Sequence, residues 1–487
     1  MRKLLMASAA VLGASLGIAQ AAEVSVVNPS LPQQPTPPAA PATPALSHSF
    51  TAQPLAGLAP GQIVVRLELE ENTYFASGWS TTQSVRGDKM QPYGILGYPR
   101  LYMGFDGEAT NGLLYGVYWQ IRNGPNRGVT ASNNSASGTA GSTGASANSG
   151  DQTLFWRYNY GYVGTAQLGI LRAGETDGPM SSLLTGVFDD IATGGWNGDI
   201  NDWENGASYG LQGSAPNWPF FDIGNVYTTA KLVYISPKFF NMVDGAIGYE
   251  PSTANLSDGQ GCTGATATAG FTNCNNQSTS TAANDLQRRR NTIDAGIRFG
   301  NTFDGVGIKA SLIGAYGGFV NAGPGNPGVG GDTFTDIHGS TVTLTPVTRF
   351  QNVEVGFGGA TVSYAGFTVG GSMIGGQYNG QEAPLNKGGH DSFVWMIGGE
   401  YDMGPLQVGA SWYTWKYQGY WTLPGRQTDA GLEVGVTYNI APGLNAYAEY
   451  LYGQRYKGNF DFSTGSPGPN FNNVHVNIIG AGLGWRW

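Results

Sequence analysis

Eight carboxylates, Glu175, Asp177, Asp189, Asp190, Asp199, Asp202, Glu204 and Asp222, fall between Arg172 and Lys231, a stretch with no Lys or Arg. Carboxylates gathered in this way either hold a hard cation or line a wet path and enrich it in cations. A third reading is a loop that only solvates itself. The run DINDWE, Asp199 to Glu204, spaces oxygen ligands closely enough for calcium, but it lacks the central Gly and final Glu of an EF-hand loop, so no metal is assigned. Trp196, Trp203, Trp218, Phe220 and Phe221 in the same segment either anchor it to a neighbour or offer stacking faces to sugars.

Enzyme chemistry finds little support. Gly206, Ser208 and Gly210 spell the esterase pattern GxSxG with no strand-to-helix context. Gly323, Gly325 and Gly328 spell GxGxxG, but Pro324 and Pro327 interrupt it and no helix follows. The histidines are His48, His338, His390 and His475, scattered so that no nucleophile gains a positioned imidazole. No catalytic residue, cofactor or nucleic-acid partner is expected.

The elements that must position the acidic segment follow from composition. The chain has 487 residues, 77 of them Gly, and only 12% charged residues, against about 25% in soluble domains. Beyond the first 22 residues no run approaches the ~18 apolar residues of a membrane helix. Aromatic and β-branched residues recur throughout, which disorder does not permit.

Arg2 and Lys3, an apolar run from Leu4 to Ile18, and Ala19, Gln20 and Ala21 have the order of a secretory signal peptide, giving a segment 1–21 cleaved on export. The formal charge of −9 becomes −11 when those two positive residues leave, which argues against nucleic acid. Residues 22–58, rich in Pro, read as a disordered periplasmic leader. Cys262 and Cys274 are either a disulfide of an exported protein or a pair of thiols; a bridge would contribute about 3 kcal/mol by loop entropy.

From Gly61 the hydrophobic signal has period two. Ile63, Val65, Leu67 and Leu69 alternate with Val64, Arg66, Glu68 and Glu70; Leu432, Val434 and Val436 alternate with Glu433, Gly435 and Thr437. Sixteen such strands are expected between residues 61 and 487, the turn between the tenth and eleventh falling near Ala360 to Gly366. Connections alternate between a few residues, as at Ala441 to Gly443, and long stretches of Gly, Asn, Ser and Asp. Sandwiches do not sort loop length by end, whereas outer-membrane barrels do. In lipid all backbone groups must pair internally, so the sheet closes and turns its apolar face outward. Arg66, Arg100, Arg122 and Arg157 then share the inward, polar parity and form a basic pore wall. A barrel of about sixteen strands encloses a channel that side chains cannot fill.

Tyr234, Ser236, Pro237, Phe239, Gly245 and Tyr249 in YISPKFFNMVDGAIGY, and Gly164 to Arg172, GTAQLGILR, resemble the Gram-negative general porins. Leu483, Trp485 and Trp487 are similar to the C-terminal signal read by the barrel assembly machinery. The resemblance implies an all-β, 16-stranded antiparallel transmembrane barrel in the bacterial outer membrane, with short periplasmic turns, long outer loops and assembly as a homotrimer. It also implies that residues 173–228 are a third loop folded into the lumen. Asp189, Asp190, Asp199, Asp202 and Glu204 would then face the basic wall across a constriction. The function implied is passive diffusion of small hydrophilic solutes and ions, cation-preferring, with a sugar-selective channel or a plugged adhesive barrel as alternatives.

Overall fold

The computed structural model describes residues 24–26, 58–82, 93–123, 154–198, 214–220, 229–252, 289–319, 331–380 and 385–487. Seventeen strands form its large sheet, and sixteen of them close a ring. These are β1 (Ile63–Ser80), β2 (Gly94–Glu108), β3 (Leu114–Asn123), β4 (Leu154–Thr165), β5 (Gly169–Glu175), β6 (Ala230–Ile235), β7 (Val243–Ser252) and β8 (Arg289–Phe303). The second half is β9 (Val306–Phe319), β10 (Val353–Tyr364), β11 (Phe367–Gln377), β12 (Ser392–Met403), β13 (Leu406–Tyr417), β14 (Gln427–Ala441), β15 (Leu444–Tyr456) and β16 (Asn473–Arg486). Each pairs antiparallel with the next. β16 returns to β1, from Glu70 opposite Arg486 to Ser80 opposite Val476.

Closure leaves one short edge. β16 ends where Trp487 and Leu69 exchange backbone hydrogen bonds of 3.0 and 2.8 Å. Below that point the remaining strand, Val24–Val26, pairs in parallel with Ile63–Val65 and covers β1. This short pairing lies within the stretch expected to be a disordered leader, and it occupies a strand edge of the kind that templates pairing with a further strand.

Alternation along each strand decides which side chain meets which solvent. Leu67, Leu312 and Ile397 point out and are more than half exposed at 54%, 65% and 57%, as a lipid-facing surface requires. Tyr74, Gln120, Asp294 and Glu433 on the opposite parity are buried inside.

Loop length segregates by end. Two residues connect β8 to β9, β10 to β11, β12 to β13 and β14 to β15. At the β10–β11 turn, Ala365 and Gly366 both have positive φ, 50° and 86°, the type I′ geometry whose twist matches a tight hairpin. At the other end the connections include 176–229, 253–288 and 320–352. The serine-proline stretch stitches the short end. Ser236 Oγ accepts from Gly245 N at 2.9 Å, and Tyr234 OH donates to Leu168 O at 2.8 Å.

Candidate functional site: the in-folded loop and its two walls

The connection 176–229 begins where β5 ends, three residues later than the sequence suggests, and its described parts run inside the barrel. A one-turn helix, α1 (Pro179–Ser182), starts it with Pro near its N-terminus. Met180 N donates to Asp294 Oδ2 on β8 at 3.0 Å, tying this turn to the wall. From there the chain crosses β10 to β15 over glycines. A Cβ on Gly398 would sit 2.4 Å from the Phe188 ring, one on Gly435 2.7 Å from Ile191, and one on Gly453 2.3 Å from Pro216. Wall positions that on other strands carry side chains are emptied here, so the loop lies flat against the sheet.

Aromatic side chains anchor it. Trp196, Trp218 and Phe220 are at most 1% exposed. Trp196 Nε1 donates to Leu432 O at 3.1 Å; Trp218 packs edge-on to Tyr413 and Phe220 to Phe357. Asn217 N donates to Asp429 Oδ2 at 3.2 Å while its carbonyl accepts from Tyr413 OH at 3.0 Å. Asp429 is paired in turn with Arg455 at 3.3 Å.

The loop's acids meet more acids. Asp189 is buried and accepts from Asn197 Nδ2 at 3.2 Å, and Asp190 lies against the Glu400 carboxyl. Thr193 Oγ1 donates to Glu449, and Glu433 is buried beside Gly195 with neither carboxyl oxygen hydrogen-bonded among the described residues. Glu400, Glu433 and Glu449 were not singled out from sequence. Inward parity was their signal; their nearness to the loop is a long-range contact that parity does not encode.

The expected basic wall is on β1 to β4. Arg66 and Arg100 are not bare cations, since Arg66 Nε reaches Asp106 Oδ2 at 2.6 Å and Arg100 Nη1 reaches Glu70 Oε1 at 2.8 Å. Arg100 is in register with Arg122 across β2 and β3, and Arg157 Nη1 donates to Gln120 Oε1 at 3.3 Å. Arg172, which the sequence reading used only as a motif residue, lies over the Tyr160 ring at 5.2 Å. Tyr102, Tyr118, Tyr158, Tyr160 and Tyr162 fill the space between these arginines. Tyr158 OH donates to Asp177 Oδ1 at 2.8 Å, joining this wall to the loop's start. Burial pushes the Asp177 carboxyl above the ordinary carboxylate range, although Arg157 and the Tyr158 hydrogen bond pull the other way.

Asp199, Asp202, Glu204, Trp203, Phe221, Cys262 and Cys274 lie outside the described residues. Among those described, no group of three or more His, Cys, Asp and Glu is arranged to hold a metal ion. Leu483 and Trp485 stand on the outward parity next to the closing seam, and Trp487 ends it.

A closed sheet with apolar exterior, charged interior and a long connection folded into its lumen defines an outer-membrane channel. Residues 64–459 match the family described as Gram-negative porin, and the chain belongs to that family. Solved structures similar to it include the anion-selective porin from Comamonas acidovorans, at 12% identity, covering 88% of this chain and 100% of that one, with a TM-score of 0.48. Another is the outer-membrane channel DcaP of Acinetobacter baumannii, at 10% identity, 87% and 97% coverage and a TM-score of 0.48. A third is Salmonella typhi OmpF in complex with daunomycin, at 12%, 86% and 97%, with a TM-score of 0.46. No curated protein sequence matches the chain.

Proposed function

We propose that this outer-membrane porin passes small hydrophilic solutes and ions by passive diffusion and prefers cations. The observation that carries this reading is the uneven charge of the two walls. Arg66 and Arg100 each have a carboxylate partner, whereas the in-folded loop brings Asp190 against the Glu400 carboxyl and Asp189 toward Glu433 and Glu449, acid facing acid. Excess carboxylate at a constriction enriches cations within about a Debye length, ~8 Å at physiological salt. Asp199, Asp202 and Glu204 add to the same loop's charge.

Burial of Trp196, Trp218 and Phe220 against the wall favours simple diffusion over a sugar-stacking path, because a ring at 0–1% exposure has no free face. Outer-membrane lipid, the assembly machinery reading Leu483, Trp485 and Trp487, and two further copies in a homotrimer complete the expected partners.

The test is the reversal potential across a salt gradient in planar bilayers. The wild-type channel is expected to reverse on the cation side. Asp189→Asn, Asp190→Asn, Asp199→Asn and Asp202→Asn combined should move it toward zero; no movement removes the acidic loop from the selectivity argument.

A further inference from the structure

Lys457 lies just past the end of β15, in the long connection 457–472, and is completely buried at 0% exposure. Its ammonium donates to three backbone carbonyls of the neighbouring connection 418–426: Gln418 O at 2.8 Å, Leu423 O at 3.3 Å and Gly425 O at 2.6 Å. No Lys457 ion pair exists among the described residues. Gln418 folds the same segment around itself, its Nε2 donating to Tyr420 O, Trp421 O and Leu423 O at 3.2, 3.4 and 2.9 Å.

The clamp reaches further. Gln418 Oε1 accepts from His390 N at 3.0 Å, and Asn379 and Gly419 exchange two hydrogen bonds of 2.8 Å, so Asn379 and His390 are held too. Phe350 meets Trp421 edge-on, and Tyr420 meets Phe460. One buried ammonium therefore sits at the junction of connections on the long-loop end of the barrel.

We infer that Lys457 is a latch whose three donated hydrogen bonds clamp connection 418–426 to connection 457–472. Three carbonyl oxygens satisfy all three donors of an ammonium, but they are neutral dipoles and only partly replace the water lost on burial. The charged groups on the packed connections do not help. Arg426, His390 and Asp391 are exposed, and Asp461 accepts from Ser463 N at 2.8 Å and Ser463 Oγ at 2.6 Å. Burial accordingly pushes the Lys457 amine down to about 8. A lysine that holds its proton less well docked than free docks more tightly as pH rises from that value toward the ordinary lysine range near 10.4. The neutral amine keeps two of its three donated bonds and loses the desolvation cost. An ion pair would behave in the opposite way.

Trypsin reads the latch directly. Arg426 is exposed inside the clamped segment, and Lys238 is exposed in a short turn at the opposite end, giving an internal reference. In folded wild-type porin in detergent, the ratio of cleavage at Arg426 to cleavage at Lys238 should fall about tenfold between about pH 7 and about pH 9.5. Lys457→Met should raise the ratio at both pH values and abolish the slope. A flat or rising ratio in the wild type overturns the inference, as does a slope that survives Lys457→Met. If that variant does not fold into a barrel, the wild-type pH series decides alone.

Discussion

The β1–β5 wall and the β10–β15 wall use the same inward parity for opposite purposes. On β1–β5 the inward positions are filled from within the sheet, by Tyr102, Tyr118, Tyr158 and Tyr160 and by arginines stacked over tyrosine rings or paired to Asp106 and Glu70. On β10–β15 many inward positions are glycine, and the filling comes from Phe188, Ile191, Trp196 and Pro216 of the in-folded loop. The difference teaches that a strand's glycines need not weaken a barrel when a loop supplies the missing side chains. Arg66, Arg100, Arg122, Arg157 and Arg172 lie on the first wall, and Glu400, Glu433 and Glu449 on the second.

That contrast can be broken most strongly at the loop's anchor. Trp196→Ala deletes a buried indole and its bond to Leu432 O, and should cost about 3 kcal/mol or more, read as a lower thermal midpoint in detergent and unstable conductance steps. Gly435→Leu overpacks the seat of Ile191 and should cost about 1–3 kcal/mol while shifting single-channel conductance, because the loop must move into the lumen. On the opposite wall, Gly104→Ala meets only the Arg66 guanidinium at 2.9 Å, and a shift of a few tenths of an ångström loosens its ion pair with Asp106 without breaking it. Its midpoint should fall by less than about 1 kcal/mol. Equal effects at Gly435 and Gly104 would erase the distinction between the walls.

Much of this was legible in the chain. Period-two alternation located all sixteen strands, and alternating connection lengths gave the two ends of the barrel. Boundaries slipped where parity outlasts obvious hydrophobicity: β1 runs on to Ser80 because Tyr74, Ala76 and Gly78 continue the inward face beyond the Ile63 to Glu70 alternation that marks the strand in the sequence. β10 ends at Tyr364 rather than near residue 359, a shift fixed by the Ala365–Gly366 turn. The arginine positions followed from parity alone, but their partners did not, because Asp106 and Glu70 are brought to them by cross-strand register. The abundance of Gly found a partial reason only in space. Phe188 and Gly398 are far apart along the chain, and no local pattern joins them.

The central claim is that the in-folded loop rests on the glycine seat of the β10–β15 wall. Cysteines placed by Ile191→Cys and Gly435→Cys, with Cys262 and Cys274 replaced by Ser, test it without reference to transport. The contact predicts a cross-link that forms under mild oxidation in folded porin and leaves the conductance of the channel unchanged. Failure to cross-link while the barrel is folded would contradict it.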